Sequence, residues 1–219
     1  MADAAFHFSA SATLTIATNW RARDLAELAG HLREAPGAVV YYHTHHFLAQ
    51  HHYLSPEPPN DFAYWVAAVL QEDRLGEQLA AIDLMQFRSL QVLRDRLVAM
   101  IEGYLEARGE LRTAPAGEEF HFREAVTFVV PTGQVAHDLA EFAACTERAG
   151  FGSLAFHFFD ARLRLERGEN DFSEWLREAL GEAALAAAIA RLDPYTFTME
   201  GLRQAVVRLV RTRLKQAAA

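Results

Sequence analysis

Phe6-His7-Phe8-Ser9-Ala10-Ser11-Ala12-Thr13-Leu14-Thr15-Ile16 is the stretch on which the fold turns. Its bulky and its small or polar residues alternate well enough for a strand with one buried face. The run Phe120 to Val130 has the same character. Around these two segments the period is mostly helical. Leu25, Leu28, Ala29 and Leu32 fall at i, i+3, i+4 and i+7, and Phe62, Trp65, Val66 and Val69 do the same. Ser89 and Thr198 stand where helix N-caps belong. Val39-Val40-Tyr41-Tyr42 is β-loving and leads into His43-Thr44-His45-His46-Phe47, but the matching run Leu154 to Leu165 reads as a helix after Ser153. Helix is the reading taken there.

The chain repeats itself. Phe6-His7-Phe8 returns as Phe120-His121-Phe122, a shift of 114 (120 − 6). Asp24-Leu25-Ala26-Glu27-Leu28-Ala29 returns as Asp138-Leu139-Ala140-Glu141-Phe142-Ala143 at the same shift, and Tyr42-His43 returns as Phe156-His157. Asn60-Asp61-Phe62-x-x-Trp65 returns as Asn170-Asp171-Phe172-x-x-Trp175 at 110 (170 − 60). The second copy is therefore four residues shorter in between (114 − 110). Each copy is about 100 residues, longer than a solenoid repeat. The expected fold is mainly α: a tandem duplication of a helical subdomain packed as a pseudo-two-fold dimer, with short strands at the Phe-His-Phe segments. Residues 1–107 form the first, histidine-rich copy, 108–117 a linker with Gly109, Pro115 and Gly117, and 118–219 the second copy.

Composition narrows the function classes. A net charge of −8 over 219 residues argues against a broad nucleic-acid footprint. Arg203, Arg208, Arg211, Arg213 and Lys215 cluster only in the last helix, where cations complement the helix dipole. A single cysteine, Cys145, excludes an internal disulfide framework and fits a reducing compartment. With no signal-like opening and no run of 18 apolar residues, a soluble cytoplasmic protein with no membrane partner is expected.

Five of the ten histidines lie between positions 43 and 52. His43, His45, His46 and His52 are the candidate metal ligands, for a divalent ion such as zinc. His43 and His46 are spaced i, i+3, and His43 and His45 would share a strand face. No pair in the cluster is spaced i, i+4, so no cofactor is assigned. His43 recurs as His157 and His7 as His121, which points to packing or to the pseudo-symmetric interface. His45, His46, His51 and His52 become Phe159, Asp160, Leu165 and Glu166, which points to a specialised site in one copy. With Glu57, Asp61 and Tyr64, which lies off the Phe62–Trp65–Val66 face, these four make the candidate ligand-binding set. Asp61 and Asp171 also read as helix starts, accepting first-turn N–H groups. No phosphate loop, nucleophile elbow or Cys-x-x-Cys is present, so catalytic residues stay unassigned.

Tyr41-Tyr42-His43-Thr44-His45-x-Phe47-Leu48, continued by His52-Tyr53-Leu54-Ser55-Pro56-Glu57-Pro58-Pro59-Asn60-Asp61-Phe62-Ala63-Tyr64-Trp65, resembles a bacterial family of unknown function. The resemblance implies an association with retaining glycosyltransferases of the trehalose-synthase kind, and so with glucan or trehalose metabolism. It assigns no catalytic residues. Three readings follow. The first is a non-catalytic module that binds a small molecule or a protein such as a glycosyltransferase. The second is a metal-dependent hydrolase or lyase using the His43–His52 cluster, with Glu57 or Asp61 as general base. The third is an oligomeric scaffold; the oligomeric state itself is not legible.

Overall fold

The computed structural model describes residues 5–46, 60–87, 89–107, 112–161, 169–193 and 196–217. The order begins β1 (Phe6–Ala22), α1 (Leu25–Glu34), α2 (Gly37–Tyr41) and a π-helical turn (Tyr42–His46). It continues with α3 (Asp61–Ala68), α4 (Asp73–Ala80), a 3₁₀ turn (Leu84–Gln86) and α5 (Leu90–Glu106). The series then recurs as β2 (Phe120–Ala136), α6 (Leu139–Arg148), α7 (Phe151–Ala155), a second π-helical turn (Phe156–Asp160), α8 (Asp171–Glu178), α9 (Ala183–Ala190) and α10 (Met199–Ala217).

The fold is mixed α/β, which corrects the expectation of an all-helical, mainly α protein made of duplicated subdomains. The Phe-His-Phe segments do not start short strands. Each opens a strand of 17 residues, and β1 and β2 pair in a two-stranded sheet. The Thr18 hydroxyl donates to the Phe122 carbonyl and the Thr132 hydroxyl to the Phe8 carbonyl, so the strands run antiparallel. β1 contains no glycine or proline to stop it, and Thr13, Thr15, Ile16 and Thr18 are β-branched. It runs well past the usual strand length of about five or six residues.

Two compact units divide the described residues. The C-terminal unit takes residues 5–12 with 127–217; the N-terminal unit takes 13–46 and 60–126. Each unit thus seats a Phe-x-Phe strand end from the opposite half of the chain. In the C-terminal unit Phe6 packs edge-on against Phe142, Phe172 and Trp175. In the N-terminal unit Phe120 stacks on Phe62 at 5.2 Å and meets Trp65 edge-on, while Phe122 meets Trp20 and His31. Neither core is completed by one contiguous sequence copy, which is the physical reason the duplicated-subdomain expectation fails.

Side-chain caps fix where the helices begin. Asp24 and Asp138 accept from the amides of Glu27 and Glu141, capping α1 and α6. Ser89 caps α5, and the Thr198 hydroxyl accepts from Gly201 N–H at the start of α10. α3 and α4 approach closely at Gly76, where an added Cβ would lie 2.7 Å from that of Ala67. No helix among the described residues is long and apolar enough to cross a membrane.

Candidate functional site

Each π-helical turn carries a buried histidine. A π-turn admits an extra residue per turn and so re-aims a side chain that a regular helix would send elsewhere. His43 on the first turn meets Asp61 (Nδ1 to Oδ2, 2.8 Å), and its Nε2 accepts the backbone N–H of Arg123 on β2 at 2.9 Å. His157 on the second turn meets Asp171 at 2.7 Å and accepts the N–H of Ser9 on β1 at 2.8 Å. An imidazole nitrogen that accepts a peptide N–H carries no proton, so Nδ1 holds the proton and donates it to the carboxylate.

A histidine oriented by an aspartate is also how many hydrolases build a general base. Here the lone pair such a base would use is already spent on a peptide N–H. Ser9 and Arg123 point that N–H away from the partner strand, and a bare edge donor under a packed helix would cost about 1–3 kcal/mol. The His–Asp pair is an edge clasp: the aspartate sets the ring, and the ring satisfies the strand. Burial holds the His43 imidazole below the ordinary histidine range, partly offset by Asp61 and reinforced by the charge of Arg123.

The aspartates do not cap their helices, contrary to the sequence reading. Asn60 and Asn170 do, their side chains accepting from Ala63 and Ser173 N–H. The neighbouring Asp61 and Asp171 are thereby placed in the first turn, facing the histidines. His7 and His121, read as packing or interface residues, are exposed on the strands. The Phe-His-Phe alternation turns each one away from the core it flanks.

The two turns diverge after the histidine. In the N-terminal unit Thr44 and His45 are buried. The Thr44 hydroxyl donates to the Val40 carbonyl at 2.6 Å and, having used its proton, accepts from His45 Nδ1 at 2.7 Å. Tyr41 stacks on the His45 ring, 5.8 Å between centroids and 2° from parallel. Burial pushes the His45 imidazole down to about 4, so the ring is neutral at pH 7 and its Nε2 is an acceptor. That nitrogen has no hydrogen-bond partner among the described residues. At the matching positions, the C-terminal unit has Phe158, fully buried among Phe142, Phe172 and Leu154, and Phe159. Thr44 was missed in the sequence; its signal was that its counterpart is an apolar core residue.

Of the candidate ligand-binding set, His45 is 7% exposed, Tyr64 is 55% exposed on α3, and Asp61 is bound to His43. His51, His52, Glu57 and the side chain of His46 lie outside the described residues. The metal reading needs correcting. No group of three or more His, Cys, Asp or Glu among the described residues is placed to hold an ion. Both ring nitrogens of His43 are committed and His45 Nδ1 is taken by Thr44.

The structure of OrfY from Thermoproteus tenax is similar, with 34% sequence identity, a TM-score of 0.81, and coverage of 95% of this chain and 94% of that one. No curated protein matches the chain. The pattern of one family matches residues 3–211, and on that match the chain belongs to DUF5752, a family of unknown function.

Proposed function

We propose that this chain is a non-catalytic binding or regulatory module whose ligand-facing element is the π-helical turn of the N-terminal unit. One observation carries the reading. The two His–Asp pairs that most resemble catalytic dyads are closed by peptide N–H groups, whereas His45 is neutral and offers an acceptor with no partner among the described residues, beside a stacked tyrosine. A neutral imidazole next to an aromatic face suits a polar ligand with hydroxyl donors. The resemblance to a bacterial family associated with trehalose-synthase-type glycosyltransferases supports a sugar, or an enzyme that handles sugars, as what is bound. A cytoplasmic setting is supported by the single cysteine, Cys145, which is buried and unpaired.

The test is a calorimetric titration of the full chain with trehalose and with a linear glucan, followed by the histidine ring NMR signals. Saturable binding that His45→Phe abolishes, with the melting temperature kept, is the expected result. Binding that survives His45→Phe moves the ligand elsewhere. No binding of either sugar removes the sugar link and leaves a protein partner to be sought.

A further inference from the structure

Among the described residues, the outer edge of β1 is open where that of β2 is guarded. Ser9 sends its N–H outward to His157 while the Phe8 carbonyl faces β2, where Thr132 reaches it. Alternation along the strand then turns the N–H and C=O of Thr15 and Ala17 outward as well. Neither residue makes a backbone hydrogen bond outside the sheet among the described residues. Both are exposed, with Leu14 and Ile16 beside them at 60% and 47% exposure. Edges are normally protected by charges, prolines or bulges. From Phe8 to Trp20, β1 has no charged residue, no proline and no glycine. In β2 the position matching Ala17 is Pro131 (131 − 17 = 114), which has no N–H, and Gly133 follows at φ 76°.

We propose that this edge of β1, centred on Thr15, pairs antiparallel with the same segment of a second copy of the chain. Three features select that occupant. An antiparallel edge is complementary to itself about a two-fold axis, since each outward residue offers one donor and one acceptor. A chain of net charge −8 would oppose self-association through most strands, yet this segment sets no like charges against each other. In a register centred on Thr15, Leu14 of one copy lies opposite Ile16 of the other. Pro131 obstructs the alternative addition of β1 to β2, so the assembly closes at two chains. The ribbon gains in turn: two strands are marginal alone, and pairing makes four. This surface is independent of His45 and of the ligand reading.

The experiment is native mass spectrometry and sedimentation of the full chain over a dilution series, beside Ala17→Pro and Ile16→Lys. The wild type is expected as a two-chain species. Each variant should raise the dimer dissociation constant by about tenfold or more, with an unchanged far-ultraviolet dichroism spectrum. Hydrogen exchange should find the Thr15 and Ala17 amides protected in the dimer and released on dilution. Should Ala17→Pro fail to fold, Ile16→Lys carries the test alone, because that side chain is about half in solvent. A wild type that stays a single chain throughout overturns the proposal, as does a two-chain mass that folded Ile16→Lys retains.

Discussion

The two π-helical turns are built alike and finished differently. Both hold a histidine between an aspartate and a strand N–H, at distances that agree within 0.1 Å for each bond (2.8 and 2.7 Å; 2.9 and 2.8 Å). One residue further on, the N-terminal unit buries a hydroxyl and the C-terminal unit a phenyl ring. The shared part ties a strand to a helix. The divergent part is a polar network, which is costly to bury unless satisfied and is therefore the place to look for a ligand. The strand residue also differs, Arg123 against Ser9, without consequence for the hydrogen bond, which uses only the backbone, though the Arg123 charge helps to keep His43 neutral.

The largest expected effect comes from opening the clasps. His43→Ala and His157→Ala each remove a buried ring, orphan a strand N–H and take the histidine's hydrogen bond from a carboxylate. About 3–4 kcal/mol should be lost in each case, measured by urea denaturation. Near-equal losses would establish the two clasps as equivalent. A His157→Ala protein as stable as wild type would break the comparison at its root.

Acid sharpens the difference between the units. His45 is held neutral, its value falling from 6.5 to about 4 on folding, so between those pH values the unfolded chain binds a proton that the folded chain refuses. Stability is then present in full above pH 6.5 and is lost as pH falls toward 4, by an amount on the order of 3 kcal/mol. His43 is lowered in the same direction and adds to the loss. His45→Phe should flatten most of this dependence, read as the urea midpoint at pH 7 and pH 5. An unchanged acid loss in that variant would place its source elsewhere.

A smaller contrast lies between the helix pairs that follow the turns. Gly76 in α4 corresponds to Ala186 in α9 (186 − 76 = 110). Gly76→Ala drives a methyl into Ala67 and should cost about 2 kcal/mol despite the better helix propensity of alanine. Ala186→Gly should cost about 1–2 kcal/mol, from helix propensity and the loss of a buried methyl. A thermally neutral Gly76→Ala would mean that α3 and α4 separate freely.

Several of these features were legible in the sequence. Helical periods placed Leu25 to Leu32 and Phe62 to Val66 on buried faces, and Ser89 and Thr198 do cap their helices. The alternation of Phe6 to Ile16 was visible too, but its continuation through Asn19-Trp20-Arg21 was not, because nothing local distinguishes a long strand from a short one leading into a loop. That Phe6 completes a core with Phe142 and Trp175 could not be read from one sequence, since the exchange of strand ends leaves no local mark. The clasps did leave a trace. His43 with Asp61 and His157 with Asp171 recur together across a loop that differs by four residues (114 − 110), as partners in space would. The adjacent asparagine hid it, because Asn-Asp before an apolar helix reads as a cap whichever residue does the capping.

The subtlest contrast is in the turns after α3 and α8. Gln71 holds φ at 54° and its counterpart Gly181 (181 − 71 = 110) holds 67°, so both turns need the left-handed region and only one has the residue suited to it. A side chain there costs roughly 1–2 kcal/mol. Glycine would relieve that but give back roughly 0.5–1 kcal/mol through the freedom it adds to the unfolded chain. The contact with Arg112 runs mainly to the Gln71 carbonyl, at 2.8 Å, and glycine keeps it. Gln71→Gly should therefore stabilise the protein by about 0.5–1 kcal/mol, and Gly181→Gln should destabilise it by a similar amount, both by urea denaturation. If Gln71→Gly instead lowers stability, the weaker 3.4 Å contact from its side chain to Arg112 matters more than backbone strain. The two turns would then be alike in shape but held by different means.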